Sequence, residues 1–357
     1  MRKKILVMAG GTGGHVFPGL AVAKYLQDRD WDVLWLGTKE RMEARLVPQH
    51  GFDIAYIDIQ GVRRNGMARK LLAPFKILKA IGQARKVIKE FKPDVVLGMG
   101  GYASGPGGIA AWLSHIPLVL HEQNAAAGLT NRILASFATV VCLGFPNNLA
   151  RKKSDVVGNP IRDEISAIAQ FPIECINDRR IRVLVVGGSL GAQVFNETLP
   201  PVLAKYKNIE VKHQTGNGNK EATQKKYQEL NYQDNVEVLE FIDDMADAYT
   251  WADIVICRAG ALTVAEIAAA HKMAIFVPLP SAVDDHQTKN ALSLVNANAA
   301  LLVAQKDFNE TTVCGILDRY IADPGLITDM SKNARDVAIL DATEKVAGYC
   351  QKLAGEQ

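Results

Sequence analysis

Two glycine-rich stretches, half a chain apart, decide the fold: Ala9-Gly10-Gly11-Thr12-Gly13-Gly14-His15 and Val186-Gly187-Gly188-Ser189-Leu190-Gly191-Ala192. Each follows a short apolar run, Ile5 to Met8 or Val183 to Val186, and precedes a helical pattern. Glycine lets the backbone turn tightly beside a ligand, and the helix behind it offers free N–H groups to an anion. The repeat predicts two α/β domains that face a phosphate-bearing ligand across a cleft.

Length and composition indicate an ordinary two-domain globular protein. A chain of 357 residues is long for a single core. Its net charge of +3 gives no argument for nucleic acid as a partner. The five cysteines are scattered and odd in number, which supports neither a disulfide framework nor a zinc site. The first apolar run is too short for a signal peptide, and no run reaches the about 18 residues of a membrane span. We therefore expect a soluble protein that can still touch a membrane.

Alternating strand and helix patterns predict two doubly wound parallel sheets. Strands are expected at 4–8, 32–36, 53–58, 94–98, 117–121 and 139–143, and then at 181–186, 209–213, 236–239, 253–257, 274–277 and 300–303. Helices are expected at 17–28, 69–91, 105–114 and 128–137. The domains are predicted to span 1–162 and 163–341, with a linker between about Asn159 and Arg180. A last helix at 342–353 is suited to pack back on the first domain.

Polar residues follow predicted strands of the first half. His15 opens a helix, whose N-terminus disfavours an imidazolium, so a neutral His15 can accept a proton from a bound hydroxyl. A third glycine-rich turn, Gly98 to Gly108, formally matches a dinucleotide fingerprint, and a second phosphate loop fits it at least as well. His121-Glu-Gln-Asn124 follows the next strand. Within it, Glu122 and Gln123 are interpreted as solvent-facing loop residues.

The second half carries a comparable set of residues. After the strand ending at Cys257, a turn of small residues precedes a helix that Thr263 is suited to cap. Glu266 lies one turn into that helix, where a carboxylate beside a phosphate site is suited to a ribose diol. Gln287 and Asn290 share one helical face and suit sugar hydroxyls.

The second glycine turn also allows a hydrolase interpretation. Gly187-Gly-Ser-Leu-Gly191 matches a nucleophile elbow, and Asp284, Asp285 and His286 follow in the order of a catalytic triad. A hydrolase would leave the glycine turns of the first domain without a function, so a phosphate contact for Ser189 is preferred. The adjacent Asp284 and Asp285 lack nearby supporting ligands, so no metal site is predicted.

The segment from Val62 to Lys92 mixes many basic residues with more apolar residues than one helical stripe needs. A basic amphipathic helix of this kind either packs on the core with a solvated cationic face or rests on anionic lipid headgroups. The apolar excess favours membrane contact through the helix around 69–89.

Several longer stretches occur in order along nearly the whole chain: Gly10-Gly-Thr-Gly-Gly-His15, Pro18-Gly-Leu-Ala21, Gly98-Met-Gly-Gly-Tyr102, His121-Glu-Gln-Asn124, Val157-Gly-Asn-Pro160, Phe241-Ile-Asp-Asp-Met245 and Arg258-Ala-Gly-Ala-Leu-Thr-Val-Ala-Glu266. Together they resemble the MurG family, glycosyltransferases of family 28. The resemblance implies a GT-B fold of two Rossmann-like domains and inverting transfer of GlcNAc from UDP-GlcNAc. The implied acceptor is the C4 hydroxyl of MurNAc in undecaprenyl-diphospho-MurNAc-pentapeptide, which converts lipid I to lipid II in peptidoglycan synthesis.

The resemblance also implies roles for particular residues. The donor-binding set is Thr12, Gly13, Gly14, Asn124, Arg162, Ser189, Ile242, Ala261, Leu262, Thr263, Val264, Ala265, Glu266 and Gln287. The acceptor-binding set is Gly13, Gly14, Gly101 and Tyr102, with His15 as the general base. No cofactor or metal is expected, because helix termini and Arg162 can neutralise the UDP leaving group. The implied location is peripheral, on the cytoplasmic face of the bacterial inner membrane. The alternatives are an NAD-dependent oxidoreductase and a nucleotide-sugar-binding module without catalysis.

Overall fold

The computed structural model describes residues 2–59, 67–149, 153–176, 179–188 and 191–355, with the side chains of 67–73 and Val283 left aside. These residues form two compact units. The first comprises Met1–Arg162 and Ile339–Gln357, and the second comprises Asp163–Ala338. The predicted Ser189 contact lies outside the described residues.

In the described part of the first unit, seven parallel strands form one sheet in the order β3-β2-β1-β4-β5-β6-β7. The strands are β1 (Lys4–Ala9), β2 (Asp32–Gly37), β3 (Asp53–Tyr56), β4 (Val95–Gly100), β5 (Leu118–Glu122), β6 (Val140–Leu143) and β7 (Ser154–Val156). The helices between them are α1 (Gly13–Gln27), α2 (Glu43–Gln49), α3 (Met67–Phe91), α4 (Ser104–Leu113) and α5 (Leu129–Leu134).

Both faces of the first sheet are buried, as a doubly wound sheet requires. Successive side chains of a strand point to opposite faces, so Ile5 and Val7 of β1 pack with α1 on one face. Leu6 and Met8 pack with α3 and α4 on the other face. All four side chains are fully buried. The near-continuous apolar run of β1 in the sequence is explained by this two-sided burial.

The second unit repeats the arrangement in the residues that the structure describes, with six parallel strands in the order β10-β9-β8-β11-β12-β13. They are β8 (Ile181–Val186), β9 (Ile209–Gln214), β10 (Val236–Leu239), β11 (Ile254–Cys257), β12 (Met273–Phe276) and β13 (Ala300–Leu302). The helices are α6 (Asp163–Ser166), α7 (Gln193–Leu203), α8 (Lys220–Glu229), α9 (Met245–Trp251), α10 (Ala261–Ala269), α11 (His286–Val295), α12 (Glu310–Ala322) and α13 (Gly325–Asp336). Short 3-10 turns occupy Ala167–Gln170, Gln233–Asn235, Val283–Asp285 and Gln305–Asp307.

The last helix, α14 (Ala342–Leu353), belongs to the first unit. Its Val346, Ala347 and Cys350 are fully buried in the same core cluster as α1. The chain therefore returns to the first sheet at its end, and the second unit stops at Ala338, three residues before the predicted boundary.

The predicted fold class, two doubly wound parallel sheets, is confirmed, but some local details differ from the predictions. Strand β7, with three residues, and helix α2, with seven, were not predicted, because elements this short show too little periodicity. The strand after residue 94 continues to Gly100, so Gly98 lies inside β4 and does not open a turn. Part of the expected linker, 163–170, forms a helix and a 3-10 turn that bury Ile165 and Ile168.

Candidate active site

The residues predicted for the first domain follow three strands. The turn from Gly10 to Gly14 follows β1, Gly101 and Tyr102 follow β4, and Asn124 follows β5. These strands are adjacent and parallel, so their carboxyl ends lie at one edge of the sheet. The strand order also reverses here, between β1 and β4, which is where ligands bind in such sheets. The first unit therefore brings this predicted set together.

The glycine turns after β1 and β4 lie in direct backbone contact. Gly101 has a φ of +89°, and a Cβ built on it would lie 2.2 Å from the carbonyl oxygen of Gly10. Any side chain there would overlap the backbone. A Cβ on the neighbouring Gly100 would lie 3.1 Å from Cε1 of His15. These two glycines bring the turns together and leave room for the imidazole. Tyr102 is 42% exposed beside them.

A buried carboxylate fixes the first turn. Glu43 of α2 is 1% exposed, and its Oε2 accepts a hydrogen bond from the N–H of Gly11 at 3.0 Å. Its Oε1 accepts from the N–H and the hydroxyl of Thr38, at 3.1 and 2.7 Å. Every partner is a donor, which suits an ionised carboxylate. Sequence reasoning missed Glu43 because it lies 32 residues beyond Gly11 and no local pattern marks it.

His15 is the third residue of α1, and Thr12 caps that helix through its backbone. The half-buried His15 ring places Nδ1 at 2.9 Å from Oε1 of Gln123. Thr12 is exposed, and Gly13 and Gly14 form the first helical positions. N–H groups at such positions have no partner within the helix, so they can face an anion.

Glu122 and Gln123 are buried, so their interpretation as solvent-facing loop residues is wrong. They are 2% and 1% exposed. Glu122 accepts hydrogen bonds from the backbone N–H of Asn124 at 3.0 Å, the N–H of Gly128 at 3.0 Å and the side-chain amide of Asn131 at 3.0 Å. A carboxylate that satisfies several loop donors holds the loop after β5 in one conformation. The partners of Glu122 follow it in the sequence, and the strand pattern does not predict contacts with them.

Asn124 and Arg162 complete the predicted residues of this unit. The side-chain amide of Asn124 donates to Glu122 at 3.2 Å, and the backbone carbonyl of Asn124 accepts from the side chain of Asn147 at 3.1 Å. Arg162 places its guanidinium carbon 5.7 Å from the ring centroid of Phe17 on α1. Arg162 ends the first of the two chain segments that form the first unit, although its predicted role concerns the nucleotide.

In the second unit, a neutral amide holds the glycine turn after β8. Gln214, the last residue of β9, is 4% exposed. Its Oε1 accepts from the N–H of Gly188 at 3.0 Å, and its Nε2 donates to the carbonyl of Gly188 at 3.0 Å. Nε2 also donates to the carbonyl of Glu240 at 2.9 Å. Gln214 is a second residue that sequence reasoning missed, because its role depends on the pairing of β9 beside β8.

Helix α10 follows β11 as expected, and the predicted residues Ala261, Leu262, Thr263, Val264 and Ala265 form its first turn and the start of the second. Gly260 occupies the N-cap, so the expected cap at Thr263 is wrong: Thr263 already lies inside the helix. Glu266 is 5% exposed, and its Oε2 accepts from the hydroxyl of Tyr249 on α9 at 3.2 Å.

Two further predicted residues come after other strands of this sheet, β10 and β12. Ile242 follows β10 and is half-buried. Gln287 lies in the first turn of α11, and its Oε1 accepts from the N–H of Leu279 at 2.9 Å. Asn290, predicted with Gln287 to meet sugar hydroxyls, is fully buried and donates to the carbonyl of Ala259 at 3.2 Å. It therefore supports the turn that leads into α10.

The described residues offer neither a metal-binding cluster nor a membrane-spanning helix. No group of three or more His, Cys, Asp or Glu side chains there is arranged to hold a metal ion. None of the described helices is both long enough and apolar enough to cross a bilayer.

Two parallel sheets, each with a glycine turn after its first strand and polar residues at its carboxyl edge, define a two-domain Rossmann-like protein of the GT-B type. The glycosyltransferase family 28 N-terminal domain matches residues 5–143, and the family 28 C-terminal domain matches residues 182–347. The chain belongs to glycosyltransferase family 28, as the sequence resemblance predicts.

Individual relatives agree over their full lengths. The chain is 57% identical over 355 residues to the "UDP-N-acetylglucosamine--N-acetylmuramyl-(pentapeptide) pyrophosphoryl-undecaprenol N-acetylglucosamine transferase" of Shewanella pealeana, covering 99% of this chain and 97% of the relative. It is 56% identical over 357 residues to the protein of the same name from Shewanella sediminis, covering 99% and 98%. The crystal structure of Acinetobacter baumannii MurG is 45% identical with a TM-score of 0.85, covering 98% and 99%.

Proposed function

We propose that this chain transfers GlcNAc from UDP-GlcNAc to the C4 hydroxyl of MurNAc in undecaprenyl-diphospho-MurNAc-pentapeptide. This step converts lipid I to lipid II in peptidoglycan synthesis. The observation that carries the proposal is the 57% identity, over 99% of the chain, to a relative whose name states this transfer. Membership of a glycosyltransferase family favours a transferase over an NAD-dependent oxidoreductase.

The second unit is proposed to bind the donor. The N–H groups of Ala261, Leu262 and Thr263 start α10, where they can meet the UDP diphosphate. Glu266 would accept hydrogen bonds from the ribose diol, although its carboxylate already accepts from Tyr249. The other proposed donor contacts in this unit are the backbone of Ile242 with uracil, Gln287 with the GlcNAc hydroxyls, and Val264, Ala265 and Ser189 with the nucleotide.

The first unit is proposed to bind the acceptor and to supply the base. Gly13, Gly14, Gly101 and Tyr102 would contact the lipid-linked diphospho-sugar, while Thr12 and Asn124 would reach the donor sugar. His15 takes the proton from the C4 hydroxyl as that oxygen forms its bond to C1 of GlcNAc. The bond from C1 to the UDP oxygen breaks on the opposite face, which inverts the anomeric carbon.

The departing UDP carries the negative charge that the reaction must stabilise. Helix N-termini and Arg162 would neutralise this charge, so we propose that the chemistry requires no divalent ion or other cofactor. Transfer in the presence of excess EDTA should then proceed at the rate seen with added Mg²⁺. A rate that EDTA abolishes and Mg²⁺ restores would contradict this part of the proposal.

We further propose that the first unit rests on the cytoplasmic face of the bacterial inner membrane. Its α3-α4-α5 layer exposes large apolar side chains, with Phe75 71%, Leu78 65%, Trp112 48% and Leu129 51% exposed. The same helix carries exposed basic residues, with Lys76 and Lys79 next to these two in the sequence and Arg85, Lys86 and Lys89 further along. Apolar side chains with basic residues around them suit the interface of an anionic bilayer. Arg63 and Arg64, which belong to the basic segment that starts at Val62 in the sequence, lie outside the described residues.

The decisive experiment is a transfer assay with labelled UDP-GlcNAc and a short-chain lipid I analogue. We expect a product that carries one added GlcNAc. A protein that binds UDP-GlcNAc in calorimetry and transfers nothing would be a nucleotide-sugar-binding module, which would contradict the proposal. UDP-GalNAc and UDP-glucose in the same assay test whether the sugar hydroxyls are recognised.

A further inference from the structure

A chain of hydrogen bonds connects His15 to the interior of the first unit. Nδ1 of His15 lies 2.9 Å from Oε1 of Gln123. Nε2 of Gln123 lies 2.9 Å from the carbonyl oxygen of Met99 and 3.1 Å from Nδ1 of His121. Nε2 of His121 lies 2.9 Å from the carbonyl oxygen of Gly158. The direction of each bond can be deduced from these partners.

The orientation of the Gln123 amide is fixed by its carbonyl partner. The backbone carbonyl of Met99 can only accept a hydrogen bond, so the end of the amide that faces it must be the NH₂ group. The oxygen of the amide therefore faces His15. An amide oxygen also only accepts, so Nδ1 of His15 must carry the hydrogen in this contact.

His121 accounts for the second hydrogen of the Gln123 NH₂ group. Because Nε2 of His121 faces the carbonyl of Gly158, it must be protonated, and the neutral ring then leaves Nδ1 free to accept from Gln123. Burial lowers the pKa of His121 to about 4, so the ring is neutral near pH 7. Both hydrogens of the Gln123 amide are used, and every donor in this series of hydrogen bonds faces an acceptor.

We propose that Gln123 and His121 are positioning residues that hold His15 in the tautomer protonated at Nδ1 and leave Nε2 bare to accept the proton of the acceptor hydroxyl. This inference rests on the proposed function, in which His15 is the base. Which imidazole nitrogen carries the hydrogen is set by the hydrogen bond that the other ring atom makes. With the opposite tautomer, Nε2 would already carry a hydrogen and could not take the proton.

The absence of a side chain at Gly100 leaves space for the edge of the ring that makes this hydrogen bond. Gly100 lies closest to Cε1 and Nδ1 of His15, and a Cβ built on it would be 3.1 and 3.2 Å from those atoms. Nε2 is the farthest of the three, at 3.6 Å. The edge of the ring that carries Nδ1 is thus held between Gly100 and Gln123.

The tautomer can be read directly by ¹⁵N NMR of the full-length enzyme labelled at histidine, without any turnover. We expect His15 to show a protonated Nδ1 and a bare Nε2 near neutral pH, and Gln123→Met to lose this pattern. His213 in the second unit is the internal control, since its ring bonds Tyr227 and Asn196 at 3.0 and 3.1 Å and should not change. A wild-type His15 protonated at Nε2 would overturn the inference.

Kinetics test the consequence for catalysis. We expect Gln123→Met to lower kcat by about ten- to a hundredfold, as removal of a ring-orienting partner does elsewhere, with KM for UDP-GlcNAc unchanged. His121→Asn and His121→Gln form a matched pair, because Asn keeps an acceptor near the Nδ1 position and Gln keeps a donor near the Nε2 position. The His121→Asn enzyme should be more active than the His121→Gln enzyme when the two have equal thermal stability.

The outcomes separate this inference from the proposed function. An enzyme with the expected tautomer that transfers no GlcNAc would contradict the function and leave the orientation of His15 intact. An enzyme that transfers GlcNAc normally with Gln123→Met, or with His121→Gln above His121→Asn, would overturn the positioning role alone.

Discussion

The two glycine turns share a pattern in the sequence and differ in what lies beneath them. The first turn is held by the carboxylate of Glu43, through the N–H of Gly11. The second is held by the amide of Gln214, which bonds both the N–H and the carbonyl of Gly188. Both supporting residues are nearly fully buried. One backbone motif is therefore built on a negative charge in one unit and on a neutral group in the other.

This difference supports the different functions proposed for the two turns. A diphosphate is disfavoured beside a buried carboxylate, whereas a neutral amide adds no repulsion. The second turn is the better seat for the charged donor, as the proposed assignment has it. At the first turn, Glu43 already occupies the Gly11 N–H, so an acceptor diphosphate would depend on the N–H groups of Gly13 and Gly14. The first turn contributes His15, the proposed base, and the described residues of the second turn include no counterpart to it.

The largest effect is expected at the first turn. His15→Ala should lower kcat by about 10²- to 10⁴-fold, the usual contribution of a general base, with little change in UDP-GlcNAc affinity. Turnover with a lipid I analogue and calorimetry with UDP-GlcNAc measure the two quantities. His50→Ala is the matched control, because the exposed side chain of His50 lies just after α2 and bonds the carbonyl of Leu46 one turn earlier. Near-normal turnover of His15→Ala would remove His15 from the mechanism.

Acid should destabilise both units through one buried histidine in each. Burial lowers the pKa of His121 to about 4 and that of His213 to about 3, against 6.5 for an unperturbed side chain. Between these values the unfolded chain binds more protons, so stability is full above about pH 6.5 and falls as the pH drops. The loss is on the order of 3 kcal/mol for each residue.

Urea unfolding between pH 7.5 and 4.5 measures this loss. His213→Gln should reduce the dependence of the unfolding free energy on pH, because it removes the buried ring. An equal pH dependence in wild type and His213→Gln would show that the buried ring is not the cause.

Membrane binding should depend on the first unit and not on the second. Removing two apolar side chains from the proposed interface with the bilayer should weaken binding by about 2 kcal/mol, or about thirtyfold in the partition coefficient. Phe75→Ser with Leu78→Ser should weaken binding to phosphatidylglycerol vesicles by this amount. The matched control is Phe171→Ser with Leu230→Ser in the second unit, whose side chains are 59% and 42% exposed. Equal losses from the two pairs in vesicle sedimentation would exclude the α3 layer as the docking face.

The smallest effect tests the comparison itself. Gln214→Glu places a charge beneath the second turn and should weaken UDP binding by about tenfold, or about 1.4 kcal/mol. Glu43→Gln removes the charge beneath the first turn and should leave UDP binding unchanged. Calorimetry at low and high salt gives both values, and the Gln214→Glu loss should shrink as salt screens the charge. Loss of UDP affinity in Glu43→Gln alone would reverse the assignment of the two turns.

Most of the architecture could be predicted because it depends on local periodicity. Apolar runs such as Ile5 to Met8 and Val183 to Val186 are long enough to mark buried strands, and the glycines after them mark turns. The placement of His15 and Glu266 in the helices that follow β1 and β11 comes from the same pattern. Polar loop residues such as Gln123 could not be assigned, because burial and hydrogen-bond partners depend on which strands lie side by side.

By itself, the sequence determined the two doubly wound sheets, the family and the positions where polar residues meet a strand end. Only the tertiary structure decided which side chains support them. Glu43 reaches its turn from the start of α2, and Gln214 reaches its turn from the end of β9. Gln123 bonds His121 and also His15, which lies 108 residues earlier in the chain. Local patterns encode helices, strands and turns, whereas the charge beneath a turn and the tautomer of a base depend on contacts between residues far apart in the chain.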